Sequence, residues 1–455
     1  MKSLRYIIIV SITIAAFACN KKLDVLPQQN VTPDEIKTSD DVKAVLFGTY
    51  SLLQNPNGFG ERYVLTPDLI ASAEQVNFIG TFTDYRDLFR KVQDKNNSIA
   101  AGLWENSYTI INVTNTVLDK INIVDADERD AVTGEAEFMR GVAYFELVNF
   151  FGKPYSAGNV TANPAVPLAL SPVYVYDSTK NKPARASVDA VYAQVIKDLT
   201  DAAAKLPQTA DNARATKYAA EAFLARVYMN MADYAHAAAM ANDVIASGNY
   251  TLSASYANEF NNVGTTSEDV FAILQTSQSN AGTTNNGLST FYQAQPGGRG
   301  DAQVDQDYFT HFDDENDDRA AFFYNGVSIA GDQGIYTAKW ADFYKVIPVI
   351  RLSEMYLTRG EANQHLDTHV GDNTPVQDYN MVRSRSHAST AVSVRTNNFV
   401  EERFRELGFE GDRLLTLKRL QLSVGNLPYD DNKLVLPIPQ RELDVNSNLG
   451  QNPGY

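Results

Sequence analysis

The sequence is poor in the residues that cross-link chains, ligate metals or bind phosphate. Its 455 residues include one cysteine, five histidines and two tryptophans, and acidic residues outnumber basic ones by 55 to 39. A single cysteine excludes an internal disulfide, so stability has to come from a hydrophobic core, which a chain of this length can build. The net charge of −16 argues against a nucleic-acid partner, because binding to phosphates requires a basic surface.

Nucleophile and cofactor signatures are also missing. The chain has no G-x-S-x-G elbow, no P-loop, no dinucleotide fingerprint and no H-E-x-x-H zinc motif. We therefore predict no catalytic residue and no cofactor. Glycoside hydrolysis needs only two suitably spaced carboxylates, so a surface glycan hydrolase stays open as an alternative.

Two clusters bear on metal binding, and neither fits a known site well. His365 and His369 have a spacing that would bring two imidazoles together on a helix, but the polar residues around them favour an exposed turn. Residues 313–318 read DDENDD, yet an EF-hand would require Gly in place of Arg319 and Glu in place of Asn325. We predict a solvated acidic loop and no metal site, and leave calcium binding open.

The first residues have the composition of an export signal. Within residues 1–18, a short basic start precedes an apolar stretch at 7–17, which is shorter than the roughly 20 residues that span a bilayer. Small residues Ala16 and Ala18 then lead directly to Cys19, an arrangement that resembles a bacterial lipobox. We predict a lipoprotein signal peptide with lipidation of Cys19. An ordinary secretory signal with a coincidental cysteine is the alternative.

The remainder predicts a short tether followed by one domain. Residues 19–33 are polar with two prolines and form an extended tether, and residues 34–455 lack a linker long enough to divide them. Helical periodicity is strongest at about 134–151, 187–247 and 348–388. In these segments small and large apolar residues alternate in a way that resembles tetratricopeptide helix pairs.

Two regions between the helices, about 55–99 and 249–345, are rich in turn-forming residues and predict loops with few short strands. The predicted fold class is therefore mainly α, with irregular tetratricopeptide-type helical pairs and long loop-rich insertions. We expect these long loops to be the functional part of the domain.

Several blocks of sequence then identify a family resemblance. They are FVEERFRELGFEGDRLLTLKR at 399–419, VLPIPQRELDVNSNLGQNPGY at 435–455, IPVIRLSEMYLTRGEA at 347–362, GEAEFMRGVAYFELVNFFG at 134–152, and Leu23-Asp24 with Pro27 in the tether. In this order they resemble the SusD/RagB family of outer-membrane lipoproteins of Bacteroidetes-type bacteria.

The residues of these blocks indicate a structural role. Arg351 with Glu354 and Arg403 with Glu406 have the i, i+3 spacing of helical ion pairs. We also expect Glu410 and Arg413 to form an ion pair that holds the C-terminal segment in place.

The resemblance implies a non-catalytic protein that captures an oligosaccharide or another small nutrient. It also implies a partner, a SusC-like TonB-dependent outer-membrane transporter, and a location at the cell surface where only the lipid anchor contacts the membrane. A helical-repeat scaffold without a small-molecule ligand is a further alternative.

By position, the family's ligand loops correspond to residues 75–90 and 286–301. The predicted stacking rings are Phe78, Phe82, Tyr85 and Tyr292, and the predicted hydrogen-bonding residues are Asn77, Asp84, Arg86 and Arg299. Aromatic rings suit the C–H faces of sugars, and amide or charged groups suit their hydroxyls. Neither loop contains tryptophan, unlike the starch-binding members of the family, which puts a starch-type ligand in doubt.

Overall fold

Helices carry most of the regular structure of this chain. The structure is a computed structural model that describes residues 33–175, 177, 181–209, 213–367 and 369–455. The predicted signal peptide, Cys19 and all but the last residue of the predicted tether lie outside the described residues.

The described part of the chain contains fourteen α-helices. They are α1 (Ser39–Gln54), α2 (Arg62–Ala71), α3 (Thr83–Arg90), α4 (Ser98–Asp119), α5 (Arg129–Phe151), α6 (Val188–Lys205), α7 (Lys217–Asn230), α8 (Tyr234–Ala246), α9 (Leu288–Tyr292), α10 (Leu352–Gln364), α11 (Pro375–Arg385), α12 (Thr396–Leu407), α13 (Asp412–Arg419) and α14 (Gln440–Val445). The mainly helical fold class is thereby confirmed.

Successive helices pack against each other as pairs. Helix α5 packs on α6, α7 on α8, and α10 on both α8 and α11. Small residues of these helices, such as Ala222, Ala225 and Ala237, are completely buried. Ser187 caps α6, since its hydroxyl accepts a hydrogen bond of 3.2 Å from the Ala190 N–H.

Within the described ranges, six short strands form two small antiparallel sheets. The strands are β1 (Val76–Phe78), β2 (Asp269–Ile273), β3 (Ala302–Val304), β4 (Phe323–Val327), β5 (Gln333–Thr337) and β6 (Ile347–Arg351). One sheet has the order β1-β3-β5-β4, and the other pairs β2 with β6. In the first sheet Val76 lies opposite Val304 and Phe78 opposite Ala302, so an early segment is joined to a much later one.

The prediction of a loop-rich region at 55–99 is partly wrong, because it contains helices α2 and α3. Pro67 lies inside α2, where it is normally unfavourable, and this residue conceals the helical pattern. The buried ring of Pro67 packs against Gly411, which has a positive φ of 83°. A Cβ at this glycine would lie 3.2 Å from Pro67 Cγ, so both the backbone angle and the close approach require glycine.

The charged residues of the sequence motifs lie in one buried ionic network. Arg351 contacts Glu268 at 2.9 Å, Glu406 at 2.8 Å and Glu410 at 2.9 Å. Glu406 also accepts hydrogen bonds from Arg319 and Arg385. Because α12 carries Glu406, the network joins this helix to strand β6, to α11 and to the segment before β4 that carries Arg319.

The predicted i, i+3 partners of the motif residues are therefore wrong. Glu354 binds Arg226 at 2.6 Å, and Arg403 binds Asp412 at 2.7 Å. The observed partners are far apart in the sequence. A buried charge needs several partners, and neighbouring residues on one helix face cannot supply them all.

The expected pair of Glu410 with Arg413 is also wrong. Glu410 instead binds Lys339 at 2.5 Å in addition to Arg351. The Arg413 guanidinium lies 3.9 Å from the centre of the Phe404 ring and 3.7 Å from Glu74. The C-terminal segment is held by other contacts, such as the hydrogen bond of 3.0 Å from Asn452 Nδ2 to the Phe151 carbonyl.

A single large apolar cluster extends from α2 through α5, α7 and β2 to the C-terminal segment, where Leu436 and Ile438 are completely buried. No helix within the described ranges is both long and apolar enough to cross a membrane.

Candidate functional site

The two segments predicted as ligand loops lie side by side in the structure. The β1–β3 pairing brings them together, and the Ile79 N–H extends it by donating to the Asp301 carbonyl at 2.9 Å. The rings of Phe82 and Phe291 then meet at 5.8 Å between centres. We call the surface formed by residues 77–86 and 293–301 the loop face.

Helix α2 lies beneath the loop face and supports both segments through Glu61, the residue that precedes it. One carboxylate oxygen of Glu61 accepts a hydrogen bond from the Tyr85 hydroxyl, and the other accepts from the Gly287 N–H at 2.6 Å. Glu61 is completely buried, and burial raises its pKa to about 7, although Arg62 and these hydrogen bonds oppose the shift.

Asp68 forms the second support, further along α2. Its carboxylate accepts hydrogen bonds from the Tyr292 hydroxyl at 2.8 Å, from Gln75 Nε2 at 3.0 Å and from the Gly411 N–H at 3.2 Å. Burial raises the pKa of Asp68 to about 7, because the hydrogen bonds offset only part of the lost hydration. Three distant parts of the chain therefore meet at one buried carboxyl group.

Three of the four predicted stacking rings are buried beneath this face. The exposed fractions of Phe78, Tyr85 and Tyr292 are 4%, 3% and 0%. The prediction that these rings form exposed plates is wrong. The two tyrosine hydroxyls bind the supporting carboxylates, and all three rings pack in the main apolar cluster, so their role is to position the loops.

Phe82 and Arg299 remain accessible at the centre of the loop face. Both are half-buried, and the Arg299 guanidinium lies 4.7 Å from the centre of the Phe82 ring. Arg299 Nε also contacts an Asp301 oxygen at 2.7 Å, so the guanidinium is held between a ring and a carboxylate. Asp301 was not singled out from the sequence, although it directly follows Arg299-Gly300.

The other predicted polar residues differ in how far they are already engaged. Asp84 accepts a hydrogen bond of 3.1 Å from the Ser98 N–H at the start of α4, and it also accepts one from the Ser98 hydroxyl. Asn77 is exposed, and Arg86 is half-buried. Among the described residues nothing pairs with the Arg86 guanidinium, so Asn77 and Arg86 keep free hydrogen-bonding capacity.

Sequence reasoning missed two residues near this face. The tip of the β4–β5 hairpin reaches Arg299, because the Ile329 N–H donates to the Arg299 carbonyl at 2.7 Å, and Ile329 is 52% exposed. The Ser289 hydroxyl donates to the Asp342 carbonyl at 2.8 Å, which places the loop carrying Tyr344 beside α9. Tyr344 is the second missed residue, and the aromatic residues at 340–344 in an irregular segment could have indicated it.

The two metal candidates have structural contacts of their own. The His365 ring stacks on Tyr234 at 4.0 Å. In the acidic loop, Asp313 pairs with Arg383 at 2.9 Å and Asp317 with Arg319 at 2.7 Å. Within the described ranges, no group of three or more His, Cys, Asp or Glu residues is arranged to hold a metal ion.

Comparison with known proteins identifies the chain's relatives. A family model described as starch-binding and associating with the outer membrane matches residues 22–229, and the SusD family model matches residues 344–433. The chain belongs to the SusD/RagB family. SusD-like protein P2 of Formosa agariphila is 26% identical to it, over 92% of this chain and 93% of the relative.

Solved structures share the SusD fold along nearly the full chain. A SusD superfamily protein from Bacteroides thetaiotaomicron has a TM-score of 0.81 and 28% identity, covering 91% of this chain and 100% of that one. A structure described as a laminarin-binding SusD-like protein has a TM-score of 0.73 and 21% identity, covering 92% of this chain and 100% of that one. The SusD/RagB motif at 399–419 corresponds here to the ionic network of α12, and not to the loop face.

Proposed function

We propose that this protein is a non-catalytic, lipid-anchored binding protein of the cell surface. It captures an oligosaccharide at the loop face and delivers it to a TonB-dependent, SusC-like outer-membrane transporter. The observation that carries the binding step is the meeting of two distant chain segments, which leaves Phe82 beside Arg299 at a surface with free polar groups.

The chemistry of this surface suits a sugar. A ring such as Phe82 can contact the C–H face of a pyranose, while Asn77, Arg86 and Arg299 can bind its hydroxyls. Asp84 contributes less in this proposal, since its carboxylate is engaged with Ser98. The family model described as starch-binding and the relative described as laminarin-binding support a carbohydrate as the ligand class.

The buried carboxyl groups below the surface support a non-catalytic role. Glu61 and Asp68 have a pKa of about 7, a value that suits a general acid, but both are completely buried and bound to loop residues. A glycoside hydrolase requires two carboxyl groups that reach the substrate. The test is turnover of the bound oligosaccharide by purified protein, and any hydrolysis product would contradict the proposal.

The binding step is tested with a glycan array followed by calorimetry on the glycan that binds. We expect Phe82→Ala to weaken binding by about 1–3 kcal/mol, because the stacking surface is lost. The matched control is Phe47→Ala, which removes a ring that is 53% exposed on α1. Equal affinities for wild type and Phe82→Ala would exclude the loop face as the binding site.

The membrane anchor is separate from the binding step. Residues 19–33 act as a tether between the lipidated Cys19 and a single domain that extends over residues 34–455. Cys19→Ser should release the protein from the membrane fraction, and retention would contradict the lipid anchor.

The transporter partner is tested by affinity purification from detergent-solubilised outer membranes. Recovery of a large TonB-dependent barrel with the tagged protein is the expected result. The scaffold alternative predicts that nutrient uptake is unchanged in Phe82→Ala cells, whereas capture at the loop face predicts slower uptake.

A further inference from the structure

A cavity that is partly open to solvent lies where α2, α5, α7 and α13 meet, and no residue of the loop face lines it. Its volume is about 60 Å³, which exceeds the space of roughly 10–15 Å³ that one water molecule needs. Four aromatic rings line it, those of Phe59, Tyr63, Phe145 and Phe150, together with aliphatic side chains such as Val64, Met229 and Leu414. The other lining residues are polar or charged.

Nearly all charged groups of this wall already have partners. The pairs are Arg226 with Glu354 at 2.6 Å, Arg403 with Asp412 at 2.7 Å, Arg419 with Glu361 at 2.6 Å, and Glu410 with Lys339 at 2.5 Å and Arg351 at 2.9 Å. Tyr63 stays protonated, since burial raises its pKa. Each positive group of the wall is therefore matched by an acid.

Glu146 is the exception. Its carboxylate lines the cavity, and no described residue donates a hydrogen bond to it or forms an ion pair with it. Three residues further along α5, Asn149 has a buried side-chain N–H group without a partner, while its oxygen accepts from the Tyr192 hydroxyl at 3.2 Å. An i, i+3 spacing places both side chains on one face of the helix.

The Glu146 carboxylate has no ion-pair partner and the Asn149 side-chain N–H has no acceptor, and these two groups define the ligand that would fit. Such a ligand presents a positive hydrogen-bond donor to Glu146 and an oxygen acceptor to Asn149, and its carbon atoms contact the aromatic rings. A divalent metal ion fits poorly, because it requires several oxygen ligands and only one carboxylate is available.

We propose that this cavity binds a small organic ammonium ion, with its nitrogen on the Glu146 carboxylate and an oxygen of the ligand accepting from Asn149. A short amino alcohol combines these two groups at the required size. The site is separate from the loop face, so it does not depend on the proposed capture of oligosaccharide.

Binding of a cation at Glu146 should be accompanied by the release of protons. Burial raises the pKa of the Glu146 carboxyl group to about 8, partly opposed by Arg226. An ammonium ion favours the ionised form, so its binding at pH 7 should release up to one proton per ligand.

The test uses isothermal titration calorimetry of the purified protein with ethanolamine at pH 7, in buffers of different ionisation enthalpy. We expect saturable binding with release of close to one proton. Ethylene glycol, which has a similar size and no charge, should not bind. Failure of ethanolamine to bind, or binding without proton release, would overturn the proposal and identify the cavity as a water site.

Variants locate the binding to this cavity. Glu146→Gln should reduce the affinity for ethanolamine at least tenfold and abolish the proton release. The control, Glu105→Gln, changes an exposed carboxylate on α4 and should leave both unchanged. Equal binding by wild type and Glu146→Gln would overturn the assignment. If Glu146→Gln fails to fold, the buffer dependence of the wild type decides alone, and glycan binding is measured separately.

Discussion

Two pairs of completely buried carboxyl groups in this protein have opposite protonation behaviour. Glu402 and Glu406 belong to the ionic network of α12, whereas Glu61 and Asp68 support the loop face. Burial alone raises the pKa of all four groups. In the network, Arg319 and its neighbouring arginines outweigh burial and lower the pKa of Glu402 to about 2. Beneath the loop face the donors are mostly neutral, and the pKa of both groups rises to about 7.

This difference shows that burial raises the pKa of an interior carboxyl group unless cationic partners outweigh it. It also separates two tasks of the molecule. The strongest sequence motif builds a charged network that holds α11, α12 and strand β6 together. The loop face is held by neutral hydrogen bonds and aromatic packing, and its exposed residues lie outside the motif.

The largest expected effect is in the network. Glu406→Gln removes the charge that Arg319, Arg351 and Arg385 share, and leaves part of a buried cationic cluster unpaired. We expect the free energy of unfolding to fall by about 3–5 kcal/mol, measured by urea titration. Glu315→Gln, at an exposed position, is the control. A loss below about 1 kcal/mol would show that the network contributes little to stability.

The second effect concerns pH. A carboxyl group with a raised pKa in the folded state stabilises it fully below the unfolded pKa of about 4, and this stabilisation is lost as the pH rises through the folded pKa of about 7. The double variant Glu61→Gln/Asp68→Asn should remove this loss. Between pH 4 and 7 we expect wild type to lose roughly 2–4 kcal/mol per group relative to the variant.

Unfolding titrations of wild type and the double variant between pH 4 and 7 measure the difference in their free energies of unfolding.

The network carboxylates change the stability with pH in the opposite direction and in a lower pH range. Glu402 stabilises the fold above pH 4, and this contribution is lost as the pH falls through about 2. Parallel stability curves for the two proteins between pH 4 and 7 would contradict the assignment of Glu61 and Asp68.

A smaller effect distinguishes positioning from ligand contact. Tyr292→Phe keeps the buried ring and removes the hydroxyl that donates to Asp68 at 2.8 Å. We expect the free energy of unfolding to fall by about 1–3 kcal/mol, because a buried acceptor loses a partner. Glycan affinity measured well below the melting temperature should change little. A large loss of affinity without loss of stability would restore Tyr292 as a contact residue.

The smallest expected effect is at Asp84. Its carboxylate accepts from the first backbone N–H of α4, as a helix cap does. Asp84→Ala should lower the melting temperature by the equivalent of about 0.5–2 kcal/mol. Asp87→Ala on the same helix α3 is the control, since its half-buried carboxylate makes no comparable contact to α4. Weaker glycan binding by Asp84→Ala at unchanged stability would instead indicate direct contact.

Much of the fold could be predicted from local patterns. The helical pairs follow from apolar periodicity and from capping residues such as Ser187, which act over one or two turns. Helix α2 could not be predicted, because Pro67 normally ends a helix and is tolerated here through its packing against Gly411.

The site was harder to predict than the fold. The two segments that the family resemblance assigns as ligand loops lie side by side in the structure, but three of the four rings predicted to be exposed are buried. Phe78, Tyr85 and Tyr292 have the amphipathic or aromatic character that suits both a binding surface and a core. The β1–β3 pairing and the carboxylates of α2 bury them, and both depend on residues far away in the chain.

The sequence by itself determined the fold class, the family and the structural character of the charged motifs, since each is encoded in residues close together along the chain. The tertiary structure alone decided which charges meet, which rings stay exposed and which interior groups keep a free partner position. Burial is the physical reason, because a polar or charged group that loses its water must find a partner elsewhere in the chain or destabilise the fold. Glu268 with Arg351, Phe82 with Arg299, and the unpaired Glu146 each follow from that condition.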